Sequence, residues 1–380
     1  MKINLANPRI LTYDLFFADQ EFTAFAPSNE SKIMATVTDS VAASARPSAR
    51  LRGLDSIRFL CAWWVFCYHD VPPLQFNGPS ALSTVLRSLS GNLWCGPAAV
   101  IVFFIISGFC IHLPYAGLQR QPILREFYTR RFLRLLPPMA VAILLGQVTG
   151  VSLTFLHVTV LWSLLAEFIY YLLYPALLAL RVHWGGWRGL VFAAYVVAYC
   201  IIPTNPAAPD YPSFGPYLNW LVGLPCWLLG CWLAEAVNAN RTAPPSTAKI
   251  WLWRGAILAL GIVCSVLRFH ASLGYPWTLN IFALPATCWL YREIAYHQFK
   301  SIPLLEWAGQ WSYSLYLVHG PAVGLFLFMF SGPVYHPVLQ WLALAGFVLG
   351  LSCLFYYIVE RPSHIFARKA GRWALAKKPV

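Results

Sequence analysis

LRGLDSIRFLCAWWVFCYHD (residues 51–70) runs from an Arg-containing flank into an apolar segment that holds Arg58 and ends at His69. At 100° per helical residue a separation of eleven returns to nearly the same face, so the two groups share one stripe about 16 Å apart along the axis. Lipid disfavours both, and an ionisable group inside a membrane span is a functional-site hypothesis by default. The plain alternative is that Arg58 snorkels to the cytoplasmic headgroups while His69 reaches the outer interface. Against it, a purely structural span would use Leu at a position roughly 9 Å inside Arg52. Asp55, three residues before Arg58, is spaced to pair with it.

The rest of the chain has the same character. It is 59% hydrophobic and only 11% charged, with 17 Trp in 380 residues and a mean hydropathy of +0.59, which excludes an ordinary soluble domain. Apolar runs near the length of roughly 20 residues that a bilayer demands are predicted at 54–73, 95–116, 137–156, 158–180, 187–203, 217–237, 250–268, 276–292, 308–330 and 338–359. The expected fold class is therefore all-α, a polytopic membrane bundle of about ten transmembrane helices.

Ten spans with a cytoplasmic N-terminus put twenty Lys and Arg on inner segments and two, Arg87 and Arg268, on outer ones. That is the asymmetry a cytoplasmic origin for both termini requires. The net charge of +13 is thus mostly a topology signal and an attraction to anionic lipid, and nucleic acid is not an expected partner. The ten cysteines lie almost wholly inside apolar runs without Cys-x-x-Cys spacing, and read as small apolar helix residues with no metal role.

Residues 1–50 are polar and unpatterned apart from ILTYDLFF, and read as a disordered extension without a cleaved signal; Met34 is an alternative start. Residues 51–365 form the expected membrane domain, and 366–380 a basic cytoplasmic tail. Two Pro-rich outer loops, VPPLQFNGPS and PTNPAAPDYPSFGP, are long enough to line an extracytoplasmic mouth. NANRTAPPSTAK reads as an inner connector. No internal repeat and no second globular domain is visible.

Three further constellations carry chemistry. In REFYTRRFLRLLPP, Arg130, Arg131 and Arg134 precede Pro137 and Pro138 at the predicted mouth of the third span. They serve topology as they stand, and three guanidiniums within about one turn also suit a multidentate phosphate clamp. LWSLLAEFIYYLLYP buries Glu167, with Ser163 and Tyr170 or Tyr171 on its face. A carboxylate in hydrocarbon must be protonated or paired, so an interhelix hydrogen bond is the plain alternative to a functional role. In SYSLYLVHGP, Ser312, Tyr316 and His319 repeat at i, i+4 and i+7 as a polar stripe; His319 alone is equally well a satisfied core residue. Glu167 and His319 fall near mid-bilayer and His69 toward its outer half, so three helices are expected to contribute polar groups to one cavity.

These segments resemble acyltransferase family 3, integral membrane proteins that move acyl groups onto sugars, lipids and antibiotics. The opening segment is similar to that family's first motif, with Arg58 and His69 separated by ten residues. FFIISGFCI, FYTRRFLRLLPP, LWSLLAEFIYYLLYP, SYSLYLVHGP and YYIVERP resemble its later signatures in the same order, over roughly residues 50–365. Val100-Ile101 stands where many members carry Val-Asp, so any role of that Asp is absent here. The extracytoplasmic hydrolase-like domain of some members is also missing.

The resemblance implies a cytoplasmic acyl-CoA donor, acetyl-CoA above all, with no permanently bound cofactor, and an acceptor hydroxyl met from the outer side or within the cytoplasmic (inner) membrane. On that footing Arg130, Arg131 and Arg134 are expected to hold the CoA phosphates, and Arg58 to steer the thioester arm. His69 becomes the general base, with a covalent acyl-histidine relay as the less favoured route. Glu167 would orient His69 or the acceptor, and Tyr316 with His319 would line the pocket or stabilise the oxyanion. Outer segments rich in Trp, Tyr and Pro suit stacking on sugar rings, which favours a glycan or lipid-linked saccharide. The rival is a multi-span transporter or flippase of an anionic or saccharide substrate, which need not bind CoA. A membrane sensor or scaffold is the third reading.

Overall fold

The computed structural model describes residues 53–73, 81–118, 120–151, 153, 160–239, 243–297, 300–330 and 336–376. The predicted N-terminal extension, most of VPPLQFNGPS, and the charges Arg241, Lys377 and Lys378 lie outside them. The described residues form helices and short helical turns, with no strand among them. In chain order the helices are α1 (Leu54–His69), α2 (Ala81–Leu93), α3 (Gly96–His112), α4 (Leu124–Val148), α5 (Trp162–Leu180), α6 (Trp187–Ile201), α7 (Gly215–Ala239), α8 (Thr247–His270), α9 (Tyr275–His297), α10 (Pro303–Gln310), α11 (Ser312–Met329), α12 (Pro337–Phe355) and α13 (Arg361–Ala376).

Eight of the helical segments are long and apolar enough to cross a membrane, as an all-α polytopic bundle requires. The predicted first and eighth spans fall short of that measure as α1, only 16 residues long, and α9, which carries Arg292, Glu293 and His297 toward its end. Both are nonetheless packed into the bundle, α1 against α3, α10 and α11 and α9 against α3, α7 and α8.

The centre is α3, apolar on every side and buried along most of its length. It lies closest to α7 because each presents a glycine to the other. A Cβ on Gly108 would overlap the Trp227 carbonyl oxygen, and one on Gly230 would overlap that of Ile105. With no hydrophobic force between helices in lipid, such small-residue approaches are how transmembrane helices gain contact.

The start of α1 is held from far away in the chain. Glu306 of α10 accepts from the backbone N–H of Gly53 (2.9 Å) and Ser56 (3.3 Å) and from the Ser56 hydroxyl, supplying the N-cap that α1 itself lacks. Gly53 sits at φ 94°, where a side chain would also strike the His297 ring.

One predicted boundary is corrected. The span expected to open at Pro137 begins instead at Leu124 and continues through both prolines. Pro137 has no N–H for the carbonyl four residues earlier, that of Leu133. Ser363 of α13 donates its hydroxyl to that carbonyl at 2.5 Å, so the acceptor stranded by Pro137 keeps a donor. Arg130, Arg131 and Arg134 are therefore within the helix, two to three turns from its start. The predicted ninth span is likewise two helices, α10 and α11, broken at Trp311. The tenth continues past a π-turn at Tyr356–Glu360 into α13, which packs along α4; residues 366–376 are therefore helical.

Candidate active site

α1 reaches two polar groups, one at each end. At its C-terminal end the exposed His69 ring stacks on His319 of α11, centroids 5.3 Å apart and planes at 25°. His319 is 2% exposed, and its Nδ1 lies 2.8 Å from the Tyr316 carbonyl oxygen one turn back. A carbonyl only accepts, so Nδ1 carries a proton, and in the neutral ring Nε2 then presents its lone pair. The Tyr316 hydroxyl bonds Ser163 of α5 at 2.7 Å and the Val160 carbonyl at 2.9 Å. Above Ser163 the predicted outer loop 203–216 is drawn in: Tyr211 is buried and stacks on Trp162, rings 5.4 Å apart and 9° from parallel.

The second group gathers around Arg58. Its guanidinium is 3.9 Å from Asp55, the i, i+3 pair anticipated from spacing. Arg58, Arg131 and Arg134 all act electrostatically on Cys110 of α3, so three helices converge there. Arg134 also lies within Coulombic reach of Tyr171 and Glu360. Like charges of this kind persist in a low-dielectric interior only beside compensating acids; besides Asp55, Glu167 and Glu360 are close by.

Glu167 accepts from Ser107 of α3 and from Tyr171 on its own helix, each at 2.5 Å. Trp227 of α7 donates its indole N–H to Ser107 (3.2 Å). Among the described residues no hydrogen bond joins Glu167 to His69. Arg131 and Arg134 are within Coulombic range of Tyr171, and Glu167 is within that range of Tyr316, so Glu167 lies between the two groups.

Arg130 is turned elsewhere. It pairs with Glu126 at 2.6 Å and packs on Gly371 of α13, where even a methyl group would collide with its side chain. The three arginines of the anticipated clamp are thus divided: Arg134 lies within Coulombic range of Arg58, Arg131 sits over the Phe127 ring within range of Arg134, and Arg130 is on the α4–α13 seam.

Glu360 was not singled out from sequence. It is 1% exposed, accepts from the Ser314 backbone N–H (3.1 Å) and hydroxyl, and lies 3.6 Å from His364 Nε2. It ends the π-turn, a distortion frequent at functional sites. The usable signal was a carboxylate closing an apolar run, the same signal that marked Glu167, but Arg361 and Pro362 beside it read as the end of a span.

The bundle thus carries an imidazole pair at one end of a short helix and guanidiniums at the other, groups of the kinds that accept protons and pair with anions. Among proteins of known character, the chain is 26% identical over 318 residues to acyltransferase MdmB of Streptomyces mycarofaciens, an alignment covering 71% of this chain and 78% of that protein. No solved structure matches it. The family described as an acyltransferase domain matches residues 51–357, most of the bundle, including His69, His319 and Arg58, and the chain belongs to acyltransferase family 3.

Proposed function

We propose that this membrane acyltransferase is an O-acyltransferase of the cytoplasmic membrane. It moves an acyl group from cytoplasmic acyl-CoA to a hydroxyl of a glycan or lipid-linked saccharide. The observation that carries the reading is the span of α1, which ties the Arg58–Arg131–Arg134 group to the His69–His319 stack, separated by about 16 Å of helix rise. Guanidiniums match the phosphates of CoA, whose flexible arm suits a donor anchored at one end and reacting at the other.

In the proposed step His69 takes the acceptor O–H proton as oxygen forms its bond to the thioester carbonyl carbon. The tetrahedral oxyanion collapses, the C–S bond breaks, and the CoA sulfur leaves with the proton returned by the imidazolium. Atoms and charge balance without any co-reactant. Tyr316, whose ring lies 6.3 Å from that of His319, lines the pocket or turns its hydroxyl to the oxyanion. In this reading Glu360, within Coulombic range of Arg134 and Arg58, balances their charge, and Glu167 is a positioning residue.

One observation favours a second assignment of the base, His319, whose tautomer is already set by Tyr316. The two are separated by His69→Ala and His319→Gln compared in one assay. The function itself is tested by mass spectrometry of cell-envelope glycans with and without the protein. Loss of one acyl mass supports it, and an unchanged glycan profile together with no release of CoA thiol by the purified protein rejects it.

A further inference from the structure

Between α4 and α5 the bundle leaves an apolar pocket of about 180 Å³, lined by Leu135, Leu136, Met139, Leu164, Phe168 and Tyr313. α4 and α5 make little contact with each other, and Leu136 on the pocket wall is 39% exposed. Apart from the Tyr313 hydroxyl, which donates to the Leu135 carbonyl (3.3 Å), these side chains are hydrocarbon or thioether. Water gains nothing there, since a bridging water needs polar partners, and apolar cavities stay dry until an apolar ligand enters.

Position distinguishes this pocket from a lipid-facing crevice. Its walls come from α4, α5 and α11, helices that also carry Arg134, Ser163, Glu167 and Tyr316. Tyr313 divides the two environments. Its ring closes the pocket, while its hydroxyl lies within Coulombic reach of Glu167, Arg134, Tyr171 and Glu360, and Tyr316 follows one turn later. On the acyl-CoA reading, a thioester held between the arginines and the imidazoles would run its acyl tail past Tyr313 to this wall.

We infer that the pocket receives the hydrocarbon tail of the acyl donor, so that the site is built for a short straight chain longer than acetyl. This rests on the acyl-CoA reading above. A cavity of roughly 150 Å³ accepts benzene, which sets the capacity here at about four to six carbons. Each methylene buried tightens binding about fourfold, so affinity rises along the series and levels once the pocket is full.

The test is the Kd of free CoA and of acetyl-, butyryl-, hexanoyl- and decanoyl-CoA, measured on the full chain in lipid nanodiscs, which needs no acceptor. The wild type is expected to tighten about fourfold per methylene from acetyl to between butyryl and hexanoyl, and then to plateau. Leu164→Phe fills the pocket and is expected to flatten the series while free CoA and acetyl-CoA bind as before. Met139→Phe does the same from the opposite wall, so misfolding of one variant leaves the other informative. Equal affinity for acetyl- and hexanoyl-CoA in the wild type overturns the inference. So does a chain-length dependence identical in wild type and both variants, the result expected if bilayer lipid occupies the pocket. Absence of binding by free CoA as well sinks the donor reading itself, a separate outcome.

Discussion

His69 and His319 face each other at 5.3 Å, yet only the second has its tautomer set by the fold. Removing the base should cost about 10²–10⁴-fold in transfer rate. His69→Ala is expected to show that loss with the protein still monodisperse and CoA affinity unchanged; normal acyl transfer would remove His69 from the mechanism. Arg134→Ala acts at the other end and should weaken CoA binding at least tenfold, since charge-assisted contacts to phosphate are worth about 1.5–3 kcal/mol each. Arg130→Ala, directed to the α13 seam, should change CoA affinity by less than about twofold on the surface-pair scale, so the two together test the division of the arginine group. The i, i+11 relation of Arg58 to His69 and the stripe of Tyr316 and His319 were legible because helical periodicity alone determines them. Which of Arg130 and Arg131 turns inward was not legible, because it depends on which face of α4 is covered by a helix more than 200 residues downstream.

Among the elements, α4 shows most clearly where local rules stop. A Pro-Pro pair after a basic run is the usual sign of a helix start, and an isolated segment would obey it. Ser363 overrides it by donating to the carbonyl that Pro137 strands. Ser363→Ala should therefore leave a buried acceptor unsatisfied, costing about 1–3 kcal/mol and lowering the melting temperature of the purified protein. An unchanged melting temperature would show that the helix does not need this donor. At the α3–α7 crossing the glycines leave no room at all, and Gly230→Leu should abolish the monodisperse peak in size-exclusion chromatography, whereas Gly255→Leu on α8, with open space around it, should preserve it. Neither glycine was identified from sequence, because a glycine in an apolar run looks the same whether it faces lipid or a backbone.

For the whole molecule, the all-helical class and most helices were readable from apolar runs and charge asymmetry, since a bilayer imposes both. What hydropathy misses are the helices with work inside them. α1 and α9 are too short or too polar to register as ordinary spans, and α1 carries both ends of the candidate site. The helix that starts at Pro337 runs with one π-turn to Ala376, about 60 Å at 1.5 Å per residue, twice the roughly 30 Å hydrocarbon thickness. Its last part must leave the bilayer, and there exposed Phe366 and Trp373 alternate with Lys369 and Arg372, a composition suited to anionic headgroups. A green fluorescent protein fused to the C-terminus is expected to fluoresce and an alkaline phosphatase fusion to be inactive; the reverse pattern would invert the proposed topology.

Glu306 grips the amino end of α1 across 253 positions of chain. A ribosome making this protein releases the arginine-bearing opening helix into the membrane long before its clasp has been synthesised. The nascent chain thus stays catalytically immature until the tenth helix emerges, and fragments ending earlier carry an unfastened first helix for quality-control proteases to recognise.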